Sequence, residues 1–147
     1  MKKALLLAII SLFFFKSQAQ SIFNLKKNLA LEGYDPVSYF ENNKPLKGKK
    51  EISASFKGVI YFFANEDNQN KFLKGALKYE PQYGGWCAYA MGDNGEKVSI
   101  NPETYKIVDG KLYLFYNKFG HNTLTDWNKD EKNLQNKADS NWSNTVK

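Results

Sequence analysis

The apolar positions of the chain fall into short runs that predict two β-hairpins. Each hairpin pairs two β-prone runs: residues 52–56 with 59–63, and residues 105–108 with 111–116. The connections are Lys57-Gly58 and Asp109-Gly110, two-residue turns in which glycine can adopt a positive φ. The Asp-Gly turn is the strongest short hairpin signal in the chain.

Helical signals lie between and after these hairpins. Asn65 is placed to cap a helix that would end at Gly75, and Asp35 can cap a helical turn that begins at Pro36. At 100° per residue, a C-terminal apolar stripe about 80° wide contains Leu124, Trp127, Leu134, Ala138 and Trp142. Glu131 falls inside the stripe, where a long side chain leaning out to water is the favoured interpretation. The pattern predicts an α+β fold: a small antiparallel sheet built from two hairpins, with packed helices that include an amphipathic C-terminal helix.

The first 19 residues have the three parts of a secretory signal. Met1-Lys2-Lys3 is followed by an apolar run over residues 4–15 and by the small-residue segment Ser17-Gln18-Ala19. We predict that residues 1–19 are removed, that residues 20–28 form a flexible leader, and that residues 29–147 form one domain. The expected location is the periplasm or the exterior of the cell.

A stable membrane anchor is not expected. As a helix, the run over residues 4–15 would extend roughly 18 Å, which is short of a hydrocarbon core of about 30 Å. The predicted cleavage also removes three lysines, so that the net charge falls from +6 to +3. All remaining basic residues are lysines, which lack the forked donor group suited to phosphate and base contacts. Nucleic acid is therefore not an expected partner.

Candidate chemistry depends on very few side chains. Cys87 is the single cysteine and His121 the single histidine, and Met91 is the one methionine left after the predicted cleavage. One thiol cannot form an internal disulfide, even in an oxidising compartment.

Several segments, taken together, closely resemble exported YHS-domain proteins. They are residues 33–40 (GYDPVSYF), 56–64 (FKGVIYFFA), Phe72, residues 79–90 (YEPQYGGWCAYA), residues 107–114 (IVDGKLYL) and the stretch from Trp127 to Trp142. The resemblance covers nearly all of the predicted mature chain. It implies a small α+β module related to domains implicated in heavy-metal binding. It also implies that cysteines of the metal-binding relatives are replaced here by Ser38, Ala64 and Asn68. Cys87 is then the one thiol that remains as a candidate ligand.

A soft metal ion such as copper is the leading ligand hypothesis. Thiolate and thioether suit Cu(I), so the candidate ligands are Cys87 and Met91, with His121 as a third. If residues 85–91 are helical, Cys87 and Met91 lie one turn apart, with Cβ atoms about 6 Å from each other. If the segment is a strand, the two side chains lie roughly 13 Å apart, which is too far to share an ion.

Other interpretations of the same residues remain open. Cys87 could be a buried apolar residue, or a nucleophile paired with His121 in a thiol enzyme, although enzymatic activity is the less favoured alternative. A metal-free module is the second hypothesis, binding a small molecule or a protein partner through an aromatic surface around Trp86. The candidate residues for such a site are Tyr34, Asp35, Trp86 and Tyr89, with Tyr83 as a further aromatic side chain.

Overall fold

The computed structural model describes residues 22–147. The predicted signal over residues 1–19 lies outside the described residues. Within the described part of the chain, no helix has both the length and the apolar character needed to cross a membrane.

Eight strands and six helices follow one another along the described chain. The strands are β1 (Leu25–Lys26), β2 (Leu29–Ala30), β3 (Lys49–Phe56), β4 (Val59–Phe63), β5 (Asn101–Val108), β6 (Lys111–Phe115), β7 (Asn117–Lys118) and β8 (His121–Asn122). The helices are α1 (Ser38–Glu41), α2 (Glu66–Lys74), α3 (Ala76–Tyr79), α4 (Ala88–Asp93), α5 (Thr123–Trp127) and α6 (Glu131–Thr145). Two 3-10 turns, over Leu31–Gly33 and Gln82–Gly85, complete the order. The predicted α+β class is confirmed.

Both predicted hairpins are present. Strands β3 and β4 pair antiparallel around Lys57-Gly58, whose φ angles are 51° and 78°. Strands β5 and β6 pair antiparallel around Asp109-Gly110, with φ angles of 51° and 71°. These positive values show that each turn uses the left-handed conformation that its glycine favours. The two hairpins belong to separate sheets, however, and β7 and β8 form a third small hairpin.

The predicted leader over residues 20–28 makes backbone hydrogen bonds to the rest of the fold from Asn24 onward. Strand β1 pairs antiparallel with β2, and β2 pairs parallel with β4, which gives a four-stranded sheet in the order β1-β2-β4-β3. The backbone N–H of Asn24 donates to the carbonyl of Gly84 at 2.8 Å. The boundary at Leu29 is therefore corrected: backbone pairing begins about five residues earlier, in a stretch too short to show any periodicity.

Strand β6 connects the two apolar clusters of the molecule. Leu112 and Leu114 belong to the cluster that packs on the four-stranded sheet, whereas Tyr113 and Phe115 belong to the cluster under α4 and α6. All four side chains are buried. Because side chains alternate across a strand, β6 is buried on both faces and contributes to both clusters.

The C-terminal apolar stripe spans two helices rather than one. α5 ends at Trp127 and α6 begins at Glu131, yet Trp127, Leu134 and Ala138 are all buried in the same cluster. Glu131 spans the break by accepting a hydrogen bond from the indole N–H of Trp127 at 3.0 Å, and it also pairs with Lys106. Its carboxylate is half-buried and paired.

Candidate functional site

Cys87 is sealed in the interior, immediately before α4. Its side chain has no exposed surface. The backbone N–H of Tyr116 donates to the sulfur at 3.3 Å, and the hydroxyl oxygen of Thr123 lies 3.4 Å from the sulfur. The Thr123 hydroxyl donates to the carbonyl of Tyr116 at 2.9 Å. Since a hydroxyl has one proton, the thiol is left as the donor to Thr123, and the three groups form a closed ring of hydrogen bonds that uses the thiol proton.

The other two candidate metal ligands lie in different surroundings. Residues 88–93 are helical and the Met91 N–H donates to the Cys87 carbonyl at 3.1 Å, so the helical alternative for this segment is the one adopted. Met91 is fully buried and packs in the cluster of Tyr113 and Trp127, whereas Cys87 belongs to the other cluster. The side chain of His121 is 62% exposed, with its Nε2 3.7 Å from an oxygen of Asp126. Among residues 22–147, no three His, Cys, Asp or Glu side chains are grouped so that they could hold a metal ion.

Asp35 is a buried structural carboxylate. One oxygen accepts the backbone N–H groups of Val37 (2.8 Å) and Ser38 (3.3 Å), as expected of the predicted cap. The other oxygen accepts the backbone N–H of Ala64 (2.9 Å) and the amide of Asn68 (2.7 Å). These four hydrogen bonds fasten the first turn to the start of α2, and they occupy the oxygens that a ligand would need.

The predicted aromatic site residues do not meet in one place. Tyr34 donates to Glu103 at 3.0 Å and carries Lys47 over its ring at 4.4 Å. Tyr89 is half-buried between the two apolar clusters. The indole N–H of Trp86 donates to the carbonyl of Ile22 at 2.6 Å, which commits this donor to the N-terminal segment.

A groove of about 540 Å³ lies on another part of the molecule. Of the aromatic residues predicted to form a binding site, Tyr83 is the one that lines this groove. The groove lies between the four-stranded sheet, the Gln82–Gly85 turn and the last turns of α6. Its apolar lining is contributed by Phe23, Leu25, Ala30, Leu31, Val59, Tyr61, Leu77, Pro81, Trp142 and Val146. This volume is within the range that holds small-molecule ligands in proteins.

Gly84 explains how the groove wall is built. The Gly-Gly pair, which draws attention in the sequence because Cys87 follows it, forms a tight turn with Gly84 at φ 60°. A Cβ at Gly84 would lie 2.8 Å from the Trp142 ring and 3.2 Å from the carbonyl oxygen of Ile22. The turn is further fastened by the side-chain amide of Asn24, which donates to the carbonyl of Gly85 at 3.0 Å. The motif therefore holds the N-terminal segment and α6 together along the groove.

Polar groups enter the groove at a few points. Tyr83 donates its hydroxyl proton to Asp139 at 2.8 Å, and burial together with this carboxylate raises the pKa of Tyr83. Lys57 and Glu80 form an ion pair at 3.6 Å. Burial and the charge of Glu80 raise the pKa of Tyr61.

Sequence reasoning did not identify most of this site. Val59 and Tyr61 belong to a β4 alternation that places every second side chain on one face, but the pattern only indicates a buried face and does not distinguish a core from a groove. Phe23 and Leu25 lie in the predicted leader, and Asp139 is a polar residue between the stripe positions Ala138 and Trp142. Only the tertiary arrangement brings these residues together.

Comparisons with protein-family models, with curated proteins and with solved structures find no match to this chain.

Proposed function

We propose that this protein is a metal-free binding module that holds a small, largely apolar molecule in the groove beside Tyr83, and that Cys87 is structural. The observation that carries the proposal is the groove of about 540 Å³, which is lined by apolar and aromatic side chains of the sheet, the Gln82–Gly85 turn and α6 and by only a few polar ones.

An apolar wall with polar side chains at only a few points suits a molecule with an apolar body and one polar group. Burying a ligand against the side chains of the sheet would supply most of the binding free energy, because apolar area removed from water contributes roughly 25 cal/mol per Å². A polar side chain of the groove would fix the orientation of the ligand, since a polar group left unpaired on burial costs free energy.

The test is to fill the groove from α6. Ser143 lines the groove and is exposed, so Ser143→Phe adds bulk to the site without disturbing the core. Ser140→Phe is the matched control, since Ser140 is an exposed residue of the same helix outside the groove lining. The probe is N-phenyl-1-naphthylamine, a neutral apolar molecule, titrated by calorimetry.

We expect the wild-type protein and Ser140→Phe to bind about one equivalent of the probe. Ser143→Phe should bind at least tenfold more weakly, with its thermal unfolding unchanged. Equal binding by both variants, or no saturable binding by the wild type, would overturn the proposal.

Copper binding, membership of the YHS family and export through residues 1–19 stay predictions. The hydrogen-bond ring around the Cys87 sulfur favours the structural interpretation, because a metal would have to displace the thiol proton and reach a fully buried atom. Stoichiometric Cu(I) uptake by the folded protein that Cys87→Ser abolishes would establish the copper hypothesis instead.

A further inference from the structure

The charges around the groove are not balanced. Glu80 is paired with Lys57, at 3.6 Å. Asp139 belongs to none of the ion pairs among the described residues. Its hydrogen-bond partner is the neutral phenol of Tyr83, which occupies one carboxylate oxygen. The end of the groove formed by α6 therefore carries a carboxylate without a cation.

Aromatic rings lie beside this carboxylate. The rings of Tyr83 and Trp142 pack edge to face, with centroids 6.4 Å apart, and both residues line the groove. Phe23 lies next to the same turn, since its ring would be 3.2 Å from a Cβ at Gly84. The faces of aromatic rings attract cations, and aromatic side chains combined with a carboxylate are suited to organic ammonium groups.

The part of the lining that comes from the sheet has a different character. Leu25, Ala30 and Val59 line the groove from the strands of the sheet. These aliphatic side chains offer no hydrogen bond, so they are suited to the body of a ligand rather than to its polar group. The groove thus has an apolar side and an acidic aromatic end.

We propose that the ligand is an apolar molecule that carries one organic ammonium group, with this group at Asp139 and the body along the sheet. The inference rests on the proposed function of the groove and specifies the class of its ligand. The ammonium donates to the carboxylate oxygen that Tyr83 leaves open and lies against the Tyr83 and Trp142 rings. A charge-assisted hydrogen bond of this kind is stronger than one between neutral groups.

The test compares three probes that share a phenyl ring and four methylenes. They are 4-phenylbutylammonium, 4-phenylbutanol and 5-phenylpentanoate, each titrated by calorimetry at pH 7 and low salt. We expect the ammonium to bind about tenfold more tightly than the alcohol, and the carboxylate to bind most weakly. In Asp139→Asn, the ammonium and the alcohol should bind equally, with the affinity of the alcohol unchanged.

Asp93→Asn is the matched control, because it removes one exposed negative charge outside the groove lining. It should keep the tenfold preference for the ammonium. Binding of the alcohol without a preference for the ammonium, or a preference that persists in Asp139→Asn, would overturn this inference and leave the proposed function intact. Failure of all three probes to bind would count against the proposed function itself.

Discussion

At the scale of single residues, the surroundings of Cys87 determine how its thiol is interpreted. The sequence leaves open whether Cys87 is a metal ligand, a nucleophile or a buried apolar residue, and the segment that follows it is a helix. In the structure, the sulfur of Cys87 forms hydrogen bonds with the backbone N–H of Tyr116 and with the hydroxyl of Thr123. These partners are 29 and 36 residues away in sequence. Local spacing could predict the helix but not the partners that occupy the thiol.

We predict that Thr123→Val lowers the free energy of unfolding by about 1–2 kcal/mol, because it leaves the buried thiol without its acceptor and removes one of the two donors to the Tyr116 carbonyl. The thiol of the wild type should react with a maleimide only as fast as the protein unfolds, and the variant should react faster. Urea denaturation and labelling followed by mass spectrometry measure both quantities.

Thr125→Val serves as the control, because Thr125 is an exposed residue of the same helix and should tolerate the change. Rapid labelling of Cys87 in the native wild type would contradict the sealed thiol.

At the scale of elements, the sequence predicts those whose signals are local. Both turns of the main hairpins and the Asn65 cap appear where they are expected, since the side chain of Asn65 accepts the N–H of Asn68 at 2.8 Å. The parallel pairing of β2 with β4 could not be predicted, because strands of two residues show no alternation. The break between α5 and α6 was missed because the apolar stripe continues across it.

Contact between α4 and α6 gives an element-scale prediction. Gly92 lies inside α4, where propensity alone would make alanine more stable by about 1 kcal/mol. A Cβ there would lie 2.4 Å from the carbonyl oxygen of Leu134, a backbone atom. We therefore expect Gly92→Ala to destabilise the protein by about 2 kcal/mol or more, since the two helices must move apart.

Urea denaturation measures this effect, with Gly75→Ala as the control. A Cβ at Gly75 has no neighbour within 4 Å, and its φ of −161° is open to any residue. Gly75→Ala should change the free energy of unfolding by less than about 0.5 kcal/mol. A Gly92→Ala variant that is more stable than the wild type would refute the close approach of the helices.

At the scale of the whole molecule, the segment from Gly84 to Trp86 has a structural role that its sequence does not show. It holds residues 22–24 through three hydrogen bonds, and Phe23 and Asn24 of this stretch line the groove. A reading of the motif by itself directs attention to the cysteine that follows. The function of the glycines becomes clear only with the N-terminal segment in place.

We predict that Trp86→Phe releases this segment while keeping most of the packing. Loss of the indole donor to the Ile22 carbonyl should cost about 1 kcal/mol. It should also speed amide hydrogen exchange at residues 24–26 and weaken binding of apolar probes in the groove. Tyr34→Phe, which removes a hydrogen bond to Glu103 away from the groove, should leave both measurements unchanged. Slow exchange at residues 24–26 in Trp86→Phe would refute this role of Trp86.

Residues 23–25 and the C-terminal residues Trp142, Ser143 and Val146 are far apart in the sequence but line the same groove. A guest molecule bound there would contact both stretches at once and hold them together. Fraying of either stretch would then require the guest to leave first. Saturation should consequently slow proteolytic trimming at both places by the same factor, even where the cleaved bonds make no contact with the guest.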